Sequence, residues 1–227
     1  MISAKAWAVV CAAGAGERLG GERPKAFAAL AGRPLLAESL ERLEACEELE
    51  GIVVAAPAGW EEPVILLAEE LGCSKVSAVV TGGSSRGGSV RLALAEIPDE
   101  AELVLVHDAA RPLVSEEIVA RVLEPLGRGW EAVVPTLPVT DTVKRVEGKR
   151  VVETIDRGSL VSVQTPQAFR AGALRAAYGD GHAEATDCAA LVEAQGGRVC
   201  WVEGDPRLRK VTTSDDLALV EGWLEGH

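Results

Sequence analysis

The chain has 227 residues, 48% hydrophobic and 26% charged, and its 23 Lys and Arg against 35 Asp and Glu leave a net charge of −12. That length suits one large α/β domain, or one domain with an appendage. The acidic balance excludes a general nucleic-acid or membrane-surface binder, and with no run of ~18 apolar residues no membrane span is expected. Five cysteines, Cys11, Cys46, Cys73, Cys188 and Cys200, are odd in number and contain no C-x-x-C pair. This spacing argues against zinc or a disulfide framework and for reduced thiols in a cytoplasm. The short polar start has no basic n-region, so no signal peptide is expected.

The first apolar run, Ala6–Ala12, reads as a buried strand. It empties into Ala12-Ala13-Gly14-Ala15-Gly16-Glu17-Arg18-Leu19-Gly20, with Pro24-Lys25 shortly after. Small residues let backbone amides approach an anion, and the cations neutralise what the amides cannot, so this loop reads as a phosphate cradle. It is not a Walker loop, which needs four residues between Gly and Gly-Lys-Ser/Thr. The dinucleotide fingerprint fails too: the third glycine falls one residue late, at Gly20, and the second strand, Ile52–Ala56, ends without an acidic residue.

Further along, strand-like runs at Ile52–Ala56, Val76–Val80, Leu103–Val106 and Ala132–Thr136 alternate with amphipathic stretches at Pro34–Ala45, Glu61–Leu71, Gly88–Ala95 and Glu116–Leu126. Short apolar strands alternating with helices predict a parallel sheet covered on both faces, joined by right-handed crossovers. Between the third strand and its helix lies Thr81-Gly82-Gly83-Ser84-Ser85-Arg86-Gly87-Gly88-Ser89, where amides and hydroxyls could read a base or ribose, or simply form a flexible loop.

Leu103–Val106 runs into His107-Asp108-Ala109-Ala110-Arg111-Pro112. The carboxyl ends of strands face the ligand crevice in such sheets, and a lone carboxylate there suits Mg²⁺ held jointly with substrate phosphates. Asp108 is therefore the candidate metal ligand, whereas His107 reads as a satisfied core histidine. Arg111 is open between a structural partner and a substrate clamp.

After Pro138 the pattern changes. Val143 to Ile155 alternates as a hairpin with Glu147-Gly148-Lys149 at its turn. A two-stranded ribbon is marginal alone in water, so it either lies on its own domain or reaches another subunit; we read it as a dimer arm of about residues 138–157 on a single domain of residues 1–227. A strand through Gln164, helical stretches at Ala171–Tyr178 and Asp187–Glu193, a strand at Arg198–Val202 and a last helix Asp215–Leu224 capped by Ser214 complete the chain. Asp156-Arg157, Thr165-Pro166-Gln167 and Lys210 lie between these elements. No Ser-His-Asp signature or paired-carboxylate motif is present.

Taken in order, these segments resemble the 2-C-methyl-D-erythritol 4-phosphate cytidylyltransferases of the non-mevalonate isoprenoid pathway. The resemblance rests on Ala12-Ala13-Gly14-x-Gly16-x-Arg18-Leu19 with Pro24-Lys25, Gly82-Gly83-x-x-Arg86-x-x-Ser89-Val90, His107-Asp108-Ala109-Ala110-Arg111-Pro112, Asp141-Thr142-Val143-Lys144-Arg145, Asp156-Arg157, Thr165-Pro166-Gln167-Ala168-Phe169, Thr186-Asp187 and Lys210-Val211-Thr212. The first element marks only nucleotidyltransferases in general. His-Asp-Ala-Ala-Arg-Pro with the Asp-Thr-Val-Lys-Arg arm is far more specific.

The resemblance implies a Rossmann-like nucleotidyltransferase fold, mostly parallel with flanking helices, and a homodimer whose β-hairpin arm reaches the neighbour's site. It implies transfer of CMP from CTP to methylerythritol 4-phosphate, releasing pyrophosphate. Catalytic roles fall on Arg18, Lys25, Arg157 and Lys210. Ala12, Ala13, Gly14, Ala15, Gly16, Gly82, Gly83 and Ser89 would hold the nucleotide. Asp108, Ala109, Arg111, Thr142, Arg157, Thr165 and Lys210 would contact the acceptor, with Mg²⁺ on Asp108. Cys11, Ala26, Cys188 and Leu208-Arg209 depart from residues common in the family, but none removes a charge assigned to chemistry. A cytidylyltransferase for another polyol phosphate, such as ribitol 5-phosphate, would keep the CTP loops and change the acceptor contacts. A sugar-1-phosphate nucleotidyltransferase using UTP or GTP is a wider rival, and a nucleotide-binding regulator would have no reason to keep the whole cation set.

Overall fold

Alternation along the central strands decides where the core sits. In the computed structural model, which describes residues 5–14, 16, 23–179 and 187–226, Ala8, Val10, Ile52, Val54, Leu103 and Leu105 point to one face of the sheet and Val9, Val53, Ala55, Val104 and Val106 to the other. Both faces are therefore apolar, and each is covered by helices, as the unbroken apolar runs predict.

In chain order the described elements are β1 (Ala6–Cys11), β2 (Ala29–Leu30), β3 (Arg33–Pro34), α1 (Leu35–Ala45), β4 (Leu49–Ala56), α2 (Glu61–Glu70), β5 (Val76–Thr81), α3 (Arg86–Leu94), β6 (Leu103–Asp108), α4 (Glu116–Leu123), β7 (Ala132–Pro138), β8 (Val143–Glu147), β9 (Arg150–Ile155), β10 (Val161–Val163), β11 (Gln167–Arg170), α5 (Ala171–Gly179), α6 (Cys188–Ala194), β12 (Val199–Glu203) and α7 (Ser214–Leu224). The main sheet runs β10-β7-β11-β6-β1-β4-β5, with β12 on the other side of β7. Helices α1, α2 and α4 pack on one face through Leu40, Val64 and Val122, and α3, α5 and α6 on the other through Val90, Leu174 and Val192.

The sheet is mostly rather than wholly parallel. Strand β11, which alternation did not reveal, is inserted antiparallel between β6 and β7, pairing Phe169 with Val104 and with Ala132. Four residues carry too little periodic signal to mark a strand, and Phe169, fully buried, is held by its place in the core. A second departure concerns α7. Its N-cap is Thr213, not Ser214: the Thr213 hydroxyl accepts from the Asp216 amide at 3.2 Å, so Ser214 is the first helical residue. Helix α3 begins at Arg86, with the Ser85 hydroxyl accepting from the Gly88 amide.

Strands β8 and β9 form their own two-stranded ribbon with Arg145 opposite Glu153, joined at 2.8 Å. Val146, Val151 and Val152 are exposed on it, and Val161 and Val163 on the nearby β10. Among the described residues no helix is long and apolar enough to cross a membrane, and all five cysteines are free thiols.

Candidate functional site

Three loops meet at the carboxyl edge of the sheet because β1 lies between β4 and β6 in register. Cys11 stands beside Asp108 on one side and Ala55 on the other. The segments following β1, β5 and β6 consequently open into one space, a cavity of about 580 Å³. Ala12, Ala13, Gly14 and Gly16 line it from the first loop, Gly83 and Ser89 from the second, and Asp108 and Ala109 from the third. Lys25 and Lys210 close it. Gly82 lies behind this wall, donating its amide to the Ala56 carbonyl at 2.7 Å, and a Cβ there would collide with Ala13. Gly16 has φ +76°, a left-handed conformation, and a Cβ on it would come within 2.7 Å of the Lys25 Cβ, so glycine lets the loop close onto Lys25. Ala15 and Arg18 lie outside the described residues, as does Thr186.

Asp108 is the electrostatic centre. It is 6% exposed, with Arg86 Nε 2.8 Å from Oδ1 and Lys210 Nζ 2.7 Å from Oδ2. Burial alone would raise its pKa, but the two cations hold the carboxyl well below the usual carboxylate range. Arg86 had no role assigned from sequence. Its side chain also donates to the Cys188 sulfur at 3.2 Å, and that thiol sits 3.3 Å from the Tyr178 hydroxyl. Burial pushes the Cys188 thiol up, so the guanidinium meets a neutral group there and Asp108 is its anion. One signal was available: an arginine in the first turn of a helix opposes the helix dipole, which points to a role outside the helix.

Behind Asp108 runs a buried polar relay. The Asp108 amide donates to Thr165 Oγ1 at 3.0 Å, and Thr165 Oγ1 lies 3.3 Å from His107 Nδ1. His107 Nε2 is 3.0 Å from the Arg111 carbonyl, which can only accept, so Nε2 carries the proton and the Thr165 hydroxyl donates to Nδ1. Arg111 in turn donates to the Leu208 carbonyl at 2.6 Å. The structure thus places Thr165 and Arg111 beneath the cavity rather than among the residues lining it.

Burial pushes the His107 imidazole down to about 4 from an ordinary 6.5. The unfolded chain therefore takes up this proton first as pH falls. The stability from neutral His107 is present in full above about pH 6.5 and is lost as pH drops towards 4, on the order of 3 kcal/mol in all. Urea unfolding between pH 7.5 and 4.5 should show this slope in the wild type and lose it in His107→Gln. An equal slope in the variant would assign the effect to other groups.

Thr142 and Arg157 are exposed at the base of the arm, outside the lining of this chain's cavity. Arg157 donates to the Thr140 carbonyl, and the Asp156 side chain accepts the Gly158 amide at 3.0 Å, shaping the turn that carries it.

Among the described residues, no group of three or more His, Cys, Asp or Glu side chains could hold a metal by itself, and Asp108 is the acidic side chain lining the cavity. This donor set fits Mg²⁺, which commonly binds through one or two carboxylates with phosphates supplying further oxygens. Each Asp108 oxygen is engaged by one cation and keeps a further lone pair.

A cavity outside the carboxyl ends of an open sheet, walled by a glycine loop and lysines, defines a nucleotide-binding α/β protein. The chain belongs to the 2-C-methyl-D-erythritol 4-phosphate cytidylyltransferase family, whose profile matches residues 6–226, and it is a nucleotidyltransferase. It is 47% identical over 219 residues to the cytidylyltransferase of that name from Nocardia farcinica, covering 96% of this chain and 93% of the relative. The crystal structure of the Thermus thermophilus cytidylyltransferase is 37% identical with a TM-score of 0.78, covering 96% and 98% of the two chains. The 4-diphosphocytidyl-2C-methyl-D-erythritol synthase from Anaerococcus prevotii is 27% identical with a TM-score of 0.83, covering 98% and 99%.

Proposed function

We propose that this cavity joins the phosphate of 2-C-methyl-D-erythritol 4-phosphate to the CMP moiety of CTP, as the family does, with the following division of labour. Ala12 to Gly16 with Gly82, Gly83 and Ser89 hold the nucleotide. Arg18 and Lys25 bear on its triphosphate. An acceptor phosphate oxygen attacks the α-phosphorus in line, the bond from that phosphorus to the bridging oxygen breaks, and pyrophosphate leaves. Asp108 would hold Mg²⁺, with phosphate oxygens supplying further ligands, and that ion would offset phosphate charge. Lys210 takes the acceptor phosphate. Arg157 and Thr142 reach it from a second copy of the chain, whose arm lies over this cavity. Ala109 completes the wall, and Arg111 and Thr165 hold the frame beneath.

One observation carries the reading: Lys25 and Lys210 converge with Asp108 on a single glycine-walled space. The acceptor phosphate is already anionic, so no strong base is required. Catalysis reduces to alignment and charge stabilisation. A neutral, fully partnered His107 agrees with that. Exposed valines on the ribbon support the dimer, because a two-stranded sheet gains its stability from what it packs against. Free thiols and a net charge of −12 support a cytoplasmic protein without nucleic-acid or membrane partners.

Pyrophosphate release with CTP, Mg²⁺ and methylerythritol 4-phosphate is the test, with ribitol 5-phosphate and the other nucleoside triphosphates in parallel. Turnover confined to CTP with methylerythritol 4-phosphate is expected. Turnover only with ribitol 5-phosphate would keep the nucleotide assignment and overturn that of the acceptor residues.

A further inference from the structure

The segment carrying Lys210 is bound on two sides. On one side the loop after β6 holds it: Arg111 donates to the Leu208 carbonyl, and the Val211 amide donates to the Ala110 carbonyl at 2.8 Å. Leu208 and Val211 are fully buried, so the backbone is pinned immediately before and after the pair Arg209-Lys210. On the other side stands Asp216, on the first turn of α7 and 4% exposed.

Asp216 does more than cap its helix. A capping box needs two exchanges, the Asp216 amide onto Thr213 Oγ1 and the Thr213 amide onto the Asp216 carboxylate, at 3.2 and 3.0 Å. Asp216 Oδ2 also accepts from the Thr212 amide at 3.0 Å and the Thr212 hydroxyl at 2.6 Å, and Oδ1 accepts from Arg209 Nε at 2.8 Å. The helix requires none of these last three. They reach back along the chain to the residues flanking Lys210 and Val211. Burial would raise the Asp216 pKa, but these donors hold it well below the usual carboxylate range, so the carboxylate is a fixed anion.

We infer that Asp216 is a positioning residue for Lys210. Its carboxylate locks Arg209 and Thr212 so that the lysine between them projects onto Asp108 and the cavity. Helix α7 is the base for this, packing through Val220 on a small apolar cluster of Leu30, Leu35, Leu113 and Val211. The inference rests on the proposed role of Lys210.

The test is a double-mutant cycle on saturated turnover with Lys210→Ala and Asp216→Asn. An amide cannot serve both sets of donors: its NH₂ must face either Arg209 or the threonines. Asp216→Asn alone should lower kcat roughly tenfold to a hundredfold, the scale of a misplaced group. In the Lys210→Ala background it should cost no further turnover, although it lowers the melting temperature in both backgrounds. Multiplicative losses, or an Asp216→Asn enzyme with wild-type kcat, would overturn the positioning role. Wild-type kcat in Lys210→Ala alone would instead overturn the role of Lys210. Should Asp216→Asn fail to fold, Arg209→Ala provides the milder cycle. It removes a half-exposed side chain that meets Asp216 Oδ1 through two nitrogens and leaves the threonine donors in place, and its smaller kcat loss should likewise vanish without Lys210.

Discussion

Asp108→Asn is expected to lower Mg²⁺-dependent pyrophosphate release by roughly a hundredfold to a thousandfold, the range seen when a group acting on developing charge is removed. The side chain keeps its shape but loses the charge that balances two cations. Its amide NH₂ would face Arg86 Nε or Lys210 Nζ, a donor against a donor. Asparagine is the informative choice. Alanine would leave the part-buried Arg86 guanidinium without its anion, and breaking a buried pair costs about 3–5 kcal/mol, so lost turnover could then reflect unfolding. From the sequence, Asp108 is a candidate metal ligand and nothing more. Its place between Arg86 and Lys210 makes it a structural anion as well. Activity should be measured well below the unfolding midpoint, with a Mg²⁺ titration and near-ultraviolet circular dichroism alongside. Wild-type kcat in a folded Asp108→Asn protein would remove the carboxylate from the chemistry.

Mixing two inactive proteins should restore activity. Arg157→Ala and Lys210→Ala are each expected to lose roughly a hundredfold or more in turnover, since each removes a cation from a phosphate. With an arm from one copy over the cavity of the other, a mixed dimer contains one intact site: the cavity of the Arg157→Ala chain and the arm of the Lys210→Ala chain. Random exchange of equal amounts makes half the dimers mixed and half of their sites intact, so about a quarter of wild-type activity should return. The reading depends on Arg157 being exposed at the arm base rather than lining its own chain's cavity. No recovery after verified subunit exchange would place both residues in the site of one chain. A monomeric wild type in sedimentation would remove the shared site altogether.

Features set by local chemistry were legible in the chain itself. Apolar runs placed β1, β4, β5, β6 and β7 within a few residues, because strands at the centre of a sheet covered on both faces need near-continuous apolar residues. The alternation from Val143 with Glu147-Gly148-Lys149 marked the β8–β9 ribbon for the same reason: a period of two and a turn residue are local facts. The glycine loop, Lys25 and Asp108 could be placed at one end of the sheet because they follow or end strands whose carboxyl ends share one edge, and the fold brings them to one cavity.

What depended on distance in space could not be read in this way. Arg86 and Asp108 are 22 positions apart, and Lys210 and Asp108 are 102 apart, yet both cations contact the one carboxylate. Nothing in the composition of either segment selects that partner, because a Coulomb interaction depends on the folded separation and not on spacing along the chain. The insertion of β11 between β6 and β7 is of the same kind, since four residues of weak pattern are decided by the core they complete. The turn of the Thr212–Asp216 network around Lys210 was hidden behind an ordinary helix start. Sequence alone determined the sheet, its loops and the kinds of charge they carry. Tertiary structure decided which charges meet, because packing brings together residues that local preference leaves independent.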